Sequence, residues 1–230
     1  MNEFAASSMF FGVFVTLAAY FAGMKVREKT GLAIMNPLLI AIVLVMLLLR
    51  ACRIDYAAYN QSARLISSLL PPATICLAVP LYEQLHLLRR HKAAILLGVL
   101  SGVLTSLVCV LALALLFGLD HAAYVTLLPK SITTAIGMGI SEELGGHVSI
   151  TVAVIIITGI LGNMIAETFC KVFRITDPIA RGVAIGTSSH AIGTTRAMEM
   201  GEVEGAMSSL SIVVAGILTV AGASLFSFLL

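Results

Sequence analysis

The sequence predicts an all-α integral membrane protein, and three observations carry that prediction. Only 11% of the 230 residues are charged, against about 25% in soluble domains. Mean hydropathy is +1.04. Apolar runs long enough to cross about 30 Å of hydrocarbon recur from end to end. The expectation is one domain, 1–230, with about five to six spanning helices and further interrupted or re-entrant ones.

The first run, Met9–Met24, leads into KVREK with no basic n-region before it and no A-x-A site after it, so a spanning helix over 8–24 is expected rather than a cleaved signal, with KVREK as the following loop. Uninterrupted spans are expected at 32–49, 93–118, 148–170 and 205–230. Between 54 and 64, Tyr56, Tyr59 and Arg64 suit a short interfacial helix.

Three further segments are apolar but broken. Segment 65–88 contains Pro71, Pro72 and Pro80, segment 123–144 contains Pro129, and segment 178–200 contains Gly182, Gly186 and Gly193. The first two echo each other. LLPPATICLAVPLYEQL at 69–85 and LLPKSITTAIGMGISEEL at 127–144 both open Leu-Leu-Pro and close on an acid, Glu83 or Glu142. Each is followed by an apolar helix with paired glycines, Gly98 and Gly102 or Gly159 and Gly162. A duplication covering 69–118 and 127–170 is expected, and paired Gly/Pro-broken segments point to the binding site of a transporter. With the N-terminus inside and both broken segments re-entrant, only KVREK breaks the positive-inside rule. The two copies would then be inverted. Full crossing of each broken segment is the alternative.

Irregular backbone at membrane depth is tolerated only where protein or a cavity surrounds it. A half-helix starting after Pro129 would place Lys130, Ser131, Thr133 and Thr134 in its first turn, where a cation, hydroxyls and free amides suit a small carboxylate. Against this, Lys130 can snorkel to the interface. In 178–200, His190 lies among Ser189, Thr194 and other hydroxyls, one to three helical turns before Arg196 and Glu199. His190 is a candidate substrate or proton group; Arg196 is an anion site or a partner of Glu199 or Glu202. Asn163 and Glu167, four apart, share a helix face that would complete a polar wall, with Glu167 at the membrane edge as the alternative. Pro71, Pro72 and Glu83 would form the supporting half, together with Glu142.

The exclusions are shorter. Cys52, Cys76, Cys109 and Cys170 form no C-x-x-C and read as buried thiols. The five histidines have no metal-ligand spacing. A net charge of +2 gives no nucleic-acid footprint. With no G-x-S-x-G, H-E-x-x-H or P-loop, no enzyme activity and no cofactor are expected.

PKSITTAIGMGISEELGG at 129–146, TGILG at 158–162 and RGVAIGTSSHAIGTTRAMEMGEVEGAMSSL at 181–210 resemble the LrgB/CidB family, small membrane proteins described as holin- or antiholin-like regulators of murein hydrolases. One departure is Ala135, where the family prefers proline after the threonine pair. The resemblance implies a bacterial cytoplasmic-membrane protein. It also implies a carrier of small monocarboxylates such as pyruvate or glycolate, because plastid members fused to an LrgA-like half carry glycolate and glycerate. Lys130, Ser131, Thr133, Thr134, His190 and Arg196 are the matched positions. Proton coupling, an LrgA-type partner, a homodimer and elevator-type movement are the associated expectations. The rivals are a holin/antiholin-like regulator of autolysis and a structural subunit of an LrgA-type complex.

Overall fold

In the computed structural model, described at residues 8, 10–31, 35–69, 72, 75–76, 78–83 and 85–230, every regular element is helical. The chain forms two compact units, Met1–Cys76 and Leu77–Leu230.

The first unit contains α1 (Phe11–Thr30), α2 (Pro37–Cys52) and the short α3 (Tyr56–Ser62) and α4 (Arg64–Ser68). KVREK is the last part of α1, not a loop, because no breaker occurs before Gly31, whose φ of 64° ends the helix. Arg27 and Lys29 there face the negative end of the helix dipole. Helix α2 starts later than 32, since Asn36 caps it by accepting from Leu38 N at 2.9 Å and Pro37 takes the first position. Tyr56 is exposed, whereas Tyr59 turns inward and its hydroxyl lies 2.6 Å from Thr16 Oγ1. Gly12 packs on α3, its N–H donating to Ser62 Oγ at 3.0 Å.

The second unit contains α5 (Ala78–Glu83), α6 (Leu85–Phe117), α7 (His121–Leu127), α8 (Thr134–Glu143), α9 (Val148–Val172), α10 (Pro178–Met200) and α11 (Glu202–Phe226), closed by a 3-10 turn at Ser227–Leu229. Among the described residues, three helical stretches are long and apolar enough to cross a membrane: Arg89–Phe117, Val148–Val172 and Glu202–Leu229. Their outer faces carry exposed large apolar side chains, including Leu97, Leu116, Ile157, Ile165 and Ile217. Such a surface suits lipid and not water. Helix α2, with 16 residues, rises only about 24 Å.

Two segments of this unit double back. Helix α10 is broken at His190, whose φ of 42° and ψ of −143° are non-helical. After the break the chain returns along its own first half. A Cβ on Gly193 would stand 3.1 Å from Ile185 Cγ2, and Arg181 and Arg196 border one small cavity. In a straight helix those two arginines would be about 22 Å apart. The second reversal is segment 127–146, the turn after α7 followed by α8, whose flanking residues are joined by a hydrogen bond from His147 N to Thr126 Oγ1 at 2.7 Å.

Helices α6, α9 and α11 surround the first half of α10, and glycines set the spacing. Gly98 and Gly102 on α6 face Val183 and Thr187, so α6 runs parallel to that half. Gly162 and Gly159 on α9 face Ser189 and His190, so α9 runs antiparallel to it and to α6. On α11, Glu204 and Ser208 lie against Gly182 and Gly186, where a Cβ on Gly182 would come within 2.5 Å of Glu204 O. The Gly182-x-x-x-Gly186 spacing is thus a helix-packing device.

Candidate functional site

The reversal at 127–146 is built from a break and a closed base. Asp120 caps α7, and after Leu127 the backbone turns through Pro129, with Lys130 N donating to Leu127 O at 3.2 Å. The next helix begins at Thr134, with Thr133 as its N-cap, four residues later than the sequence predicts. Pro129 starts a turn instead of a helix, so Lys130 and Ser131 sit in the turn. Thr133 and Thr134 are half-buried. At the base, Thr151 Oγ1 on α9 donates to Ser141 Oγ at 2.7 Å and lies 2.9 Å from Thr126 O, and all three residues are buried. These hydroxyls satisfy one another without any charge.

The second reversal has the opposite construction. Its tip is held by His190, buried with its Nε2 3.0 Å from Ile155 O. A carbonyl only accepts, so Nε2 carries the proton and donates. Gly159 leaves room for the ring, since a Cβ there would stand 2.6 Å from His190 Cε1. The backbone carbonyls near the break are also bonded. Thr194 Oγ1 donates to His190 O at 2.9 Å and lies 2.7 Å from Ser208 Oγ, and Asn163 Nδ2 donates to Ile192 O at 2.9 Å. Away from the tip, Arg196 meets Glu199 at 2.5 Å and also Glu167, which meets Lys171 at 2.7 Å. With Arg181 and Cys170 they border a cavity of about 270 Å³. Arg196 does not continue past His190 along a straight helix, because the chain has turned back.

The two reversals meet at one place on α9. Gly137 of α8 lies against Ile155 and Pro129, and Ile155 is the residue whose carbonyl receives His190. Beside this junction a cavity of about 800 Å³ opens between α6 and the first half of α10. Lys130, Ser131, Thr187 and Ser188 border it. Lys130 Nζ donates to Ser131 Oγ at 2.9 Å, and Ser131 Oγ lies 3.4 Å from Ser106 Oγ of α6. Among the described residues no carboxylate stands within ion-pair distance of Lys130, and two of its three N–H donors remain for a ligand. Thr187 Oγ1, also on the cavity wall, is buried without a hydrogen-bond partner among the described residues. A partly buried ammonium with hydroxyls beside it is chemically a receptor for a small anion.

Among the sequence-predicted residues, Lys130 and Ser131 border this cavity. Thr133 and Thr134 begin α8, and Ser189, His190 and Thr194 form the second tip without bordering the cavity. Arg196, Glu167 and Asn163 hold the returning half of α10 against α9. Glu142 is exposed at the end of α8, Glu83 is exposed at the end of α5, and Pro72 is exposed. Pro71 lies outside the described residues, as does much of the 69–85 echo. Sequence reasoning missed Ser106, Thr187 and Cys109; a small-residue face on α6, from Ala94 through Gly98, Gly102 and Ser106 to Cys109, was the available signal. The thiols are also less buried than expected. Cys76 and Cys109 are exposed and Cys52 is half-buried, leaving only Cys170 inside.

Fold and site together define a helical membrane protein in which two doubled-back segments meet beside a cavity that Lys130 borders. The chain belongs to the LrgB family, whose profile, described as the LrgB-like family, matches residues 16–229. The antiholin-like proteins LrgB of Bacillus mycoides (strain KBAB4), Bacillus cereus (strain B4264) and Bacillus anthracis (strain CDC 684 / NRRL 3495) are each 38% identical over 218 residues, covering 94% of this chain and 95% of the relative. No solved structure matches the chain.

Proposed function

We propose that the protein is a multi-pass antiholin-like protein of the bacterial cytoplasmic membrane. The name borne by relatives aligned over 94% of the chain supports this reading. A second reading, carriage of small carboxylates such as pyruvate or glycolate, is favoured by one specific observation: the carboxylate-free Lys130 on the wall of the large cavity. The antiparallel α6 and α9, each turning paired glycines to α10, support an inverted repeat. The joined ends of 127–146 favour re-entry over full crossing. In this reading Lys130, Ser131, Ser106 and Thr187 hold the carboxylate, and His190 fixes the second tip by bonding to Ile155. Elevator-type movement of the reversals, proton coupling, an LrgA-type partner and a homodimer belong to the same proposal. No chemical reaction is catalysed.

Proteoliposomes separate the two readings. The carrier reading predicts uptake of radiolabelled pyruvate or glycolate, with or without an LrgA-type partner, that falls at least tenfold in Lys130→Gln. The antiholin-like reading predicts that the protein restrains dye release caused by a holin-like protein, equally in wild type and Lys130→Gln. Absence of Lys130-dependent flux in every combination would remove the carrier reading. Unrestrained dye release would remove the antiholin-like one.

A further inference from the structure

The large cavity between α6 and the first half of α10 is also a route. We infer that it is a one-sided entry path: a hydrated vestibule that opens at the cytoplasmic face, admits small anions and ends blind at Lys130. Only the identity of the anion rests on the carboxylate reading above.

The register of the walls orders the ends of the path. Gly98 faces Val183 and Gly102 faces Thr187, so α6 and the first half of α10 rise side by side. His91 and Asp177 border one end, and Lys130, Ser131 and Cys109 border the other, about 27 Å of helix away. Charge decides which end is inside. Arg89, Arg90 and Lys92 lie at the His91 end of α6. The antiparallel α9 brings Lys171, and Arg174 just beyond it, to that same end. Residues 118–147, between α6 and α9, hold Asp120, Glu142 and Glu143, with Lys130 as their sole lysine or arginine. The positive-inside rule therefore puts the His91–Asp177 mouth in the cytoplasm. The basic cluster at that face draws anions toward the mouth.

Hydration follows from the lining. His91 and Asp177 are polar at the mouth, and Ser101, Thr105, Thr187 and Ser188 follow the path inward to Lys130. Between these two polar stretches, Ala94, Gly98, Ala180 and Ala184 are small and leave room for water. Ser101 and Thr105 donate to Gly98 O and Ser101 O of their own helix, so their oxygens still accept from water. Thr187 Oγ1, buried and unpartnered among the described residues, is a group that water in the path would satisfy. Past Lys130 the path closes. Leu128 and Ile132 of the 127–146 segment are buried there in the apolar core, with Val103 and Leu107 of α6.

Cys109, exposed on the wall at the blind end, is the probe. Replacements Cys52→Ser, Cys76→Ser and Cys170→Ala leave it as the sole cysteine of the full chain. Vesicles of either orientation receive sulfonatoethyl or trimethylammonioethyl methanethiosulfonate, neither of which crosses a bilayer. The Cys109 thiol gives its proton to water, and its sulfur displaces methanesulfinate to form a disulfide with the reagent's thioethyl group. Reaction should be about tenfold or more faster in inside-out than in right-side-out vesicles. Relative to free mercaptoethanol, the anionic reagent should outpace the cationic one about threefold or more, a preference lost in Lys130→Gln. Glu143→Cys, exposed beyond the closed end and placed in a cysteine-free chain, should react from the opposite face. Reaction of Cys109 from outside, from both faces equally, or from the same face as Glu143→Cys overturns the one-sided path. Labelling of Cys109 by membrane-permeant N-ethylmaleimide alone overturns its hydration, and equal relative rates for the two charged reagents overturn its anion preference. One-sided, anion-preferring reaction that neither pyruvate nor glycolate slows bears out the path and counts against the carboxylate reading alone.

Discussion

The two reversals solve the same problem, irregular backbone inside a helical membrane protein, in opposite ways. The 127–146 reversal carries its charge near the turn, at Lys130, and closes its base with the neutral hydroxyls of Thr126, Ser141 and Thr151. Helix α10 carries a neutral His190–Ile155 hydrogen bond at its tip and closes its returning half with ion pairs among Arg196, Glu167, Glu199 and Lys171. The difference teaches which charge is available. Arg196 is matched by two carboxylates and serves the fold, whereas Lys130 is matched by none among the described residues, which is the contrast on which the carrier reading rests.

Substitutions can break this contrast in order of size. In the carrier reading, Lys130→Gln should lower carboxylate flux tenfold or more, while the thermal unfolding midpoint stays close to wild type. The same midpoint should drop furthest for Gly186→Leu, because even a Cβ at Gly186 would come within 2.8 Å of Ser208 Cα. Overpacking of that kind costs about 1–3 kcal/mol or more. Thr151→Val leaves Ser141 and the Thr126 carbonyl with fewer partners at a buried base, an expected loss of about 1–3 kcal/mol. It should also free the ends of the 127–146 segment, seen as faster amide exchange at His147. Glu167→Gln is the mildest, below about 1 kcal/mol, since its carboxylate is 38% exposed. Raising salt should reproduce much of that loss in wild type and none of the loss from Thr151→Val.

Much of this was legible in the sequence, and the rest failed for identifiable reasons. Long apolar runs located α6, α9 and α11 to within a few residues, except at the start of α6, where the chain is helical from Leu85 and kinks at His91. KVREK misled because charge was read as loop, although charged residues sit comfortably in the last turn of a helix. The paired glycines at 98/102 and 159/162, which the sequence offers as marks of an internal echo, also set the close packing of α6 and α9 on α10. That 178–200 is interrupted was expected from its glycines, but the break at His190 was not legible, because His190 adopts a backbone conformation that its residue type does not announce and that bonds from Thr194 and Asn163 stabilise. Lys130 stood out as a lysine in an apolar run. Thr187 did not, because only burial without a partner distinguishes it from its neighbouring hydroxyls.

Everything about the site depends on α10 doubling back, and one distance decides that. In a variant without native cysteines, spin labels at the exposed positions Ala180 and Glu199 report the separation by double electron–electron resonance. A reversal at His190 predicts label separations of about 20 Å or less, since Arg181 and Arg196 border the same small cavity. A continuous helix would place the two backbones about 28 Å apart, and a single narrow distribution there would contradict the reversal and the site built on it.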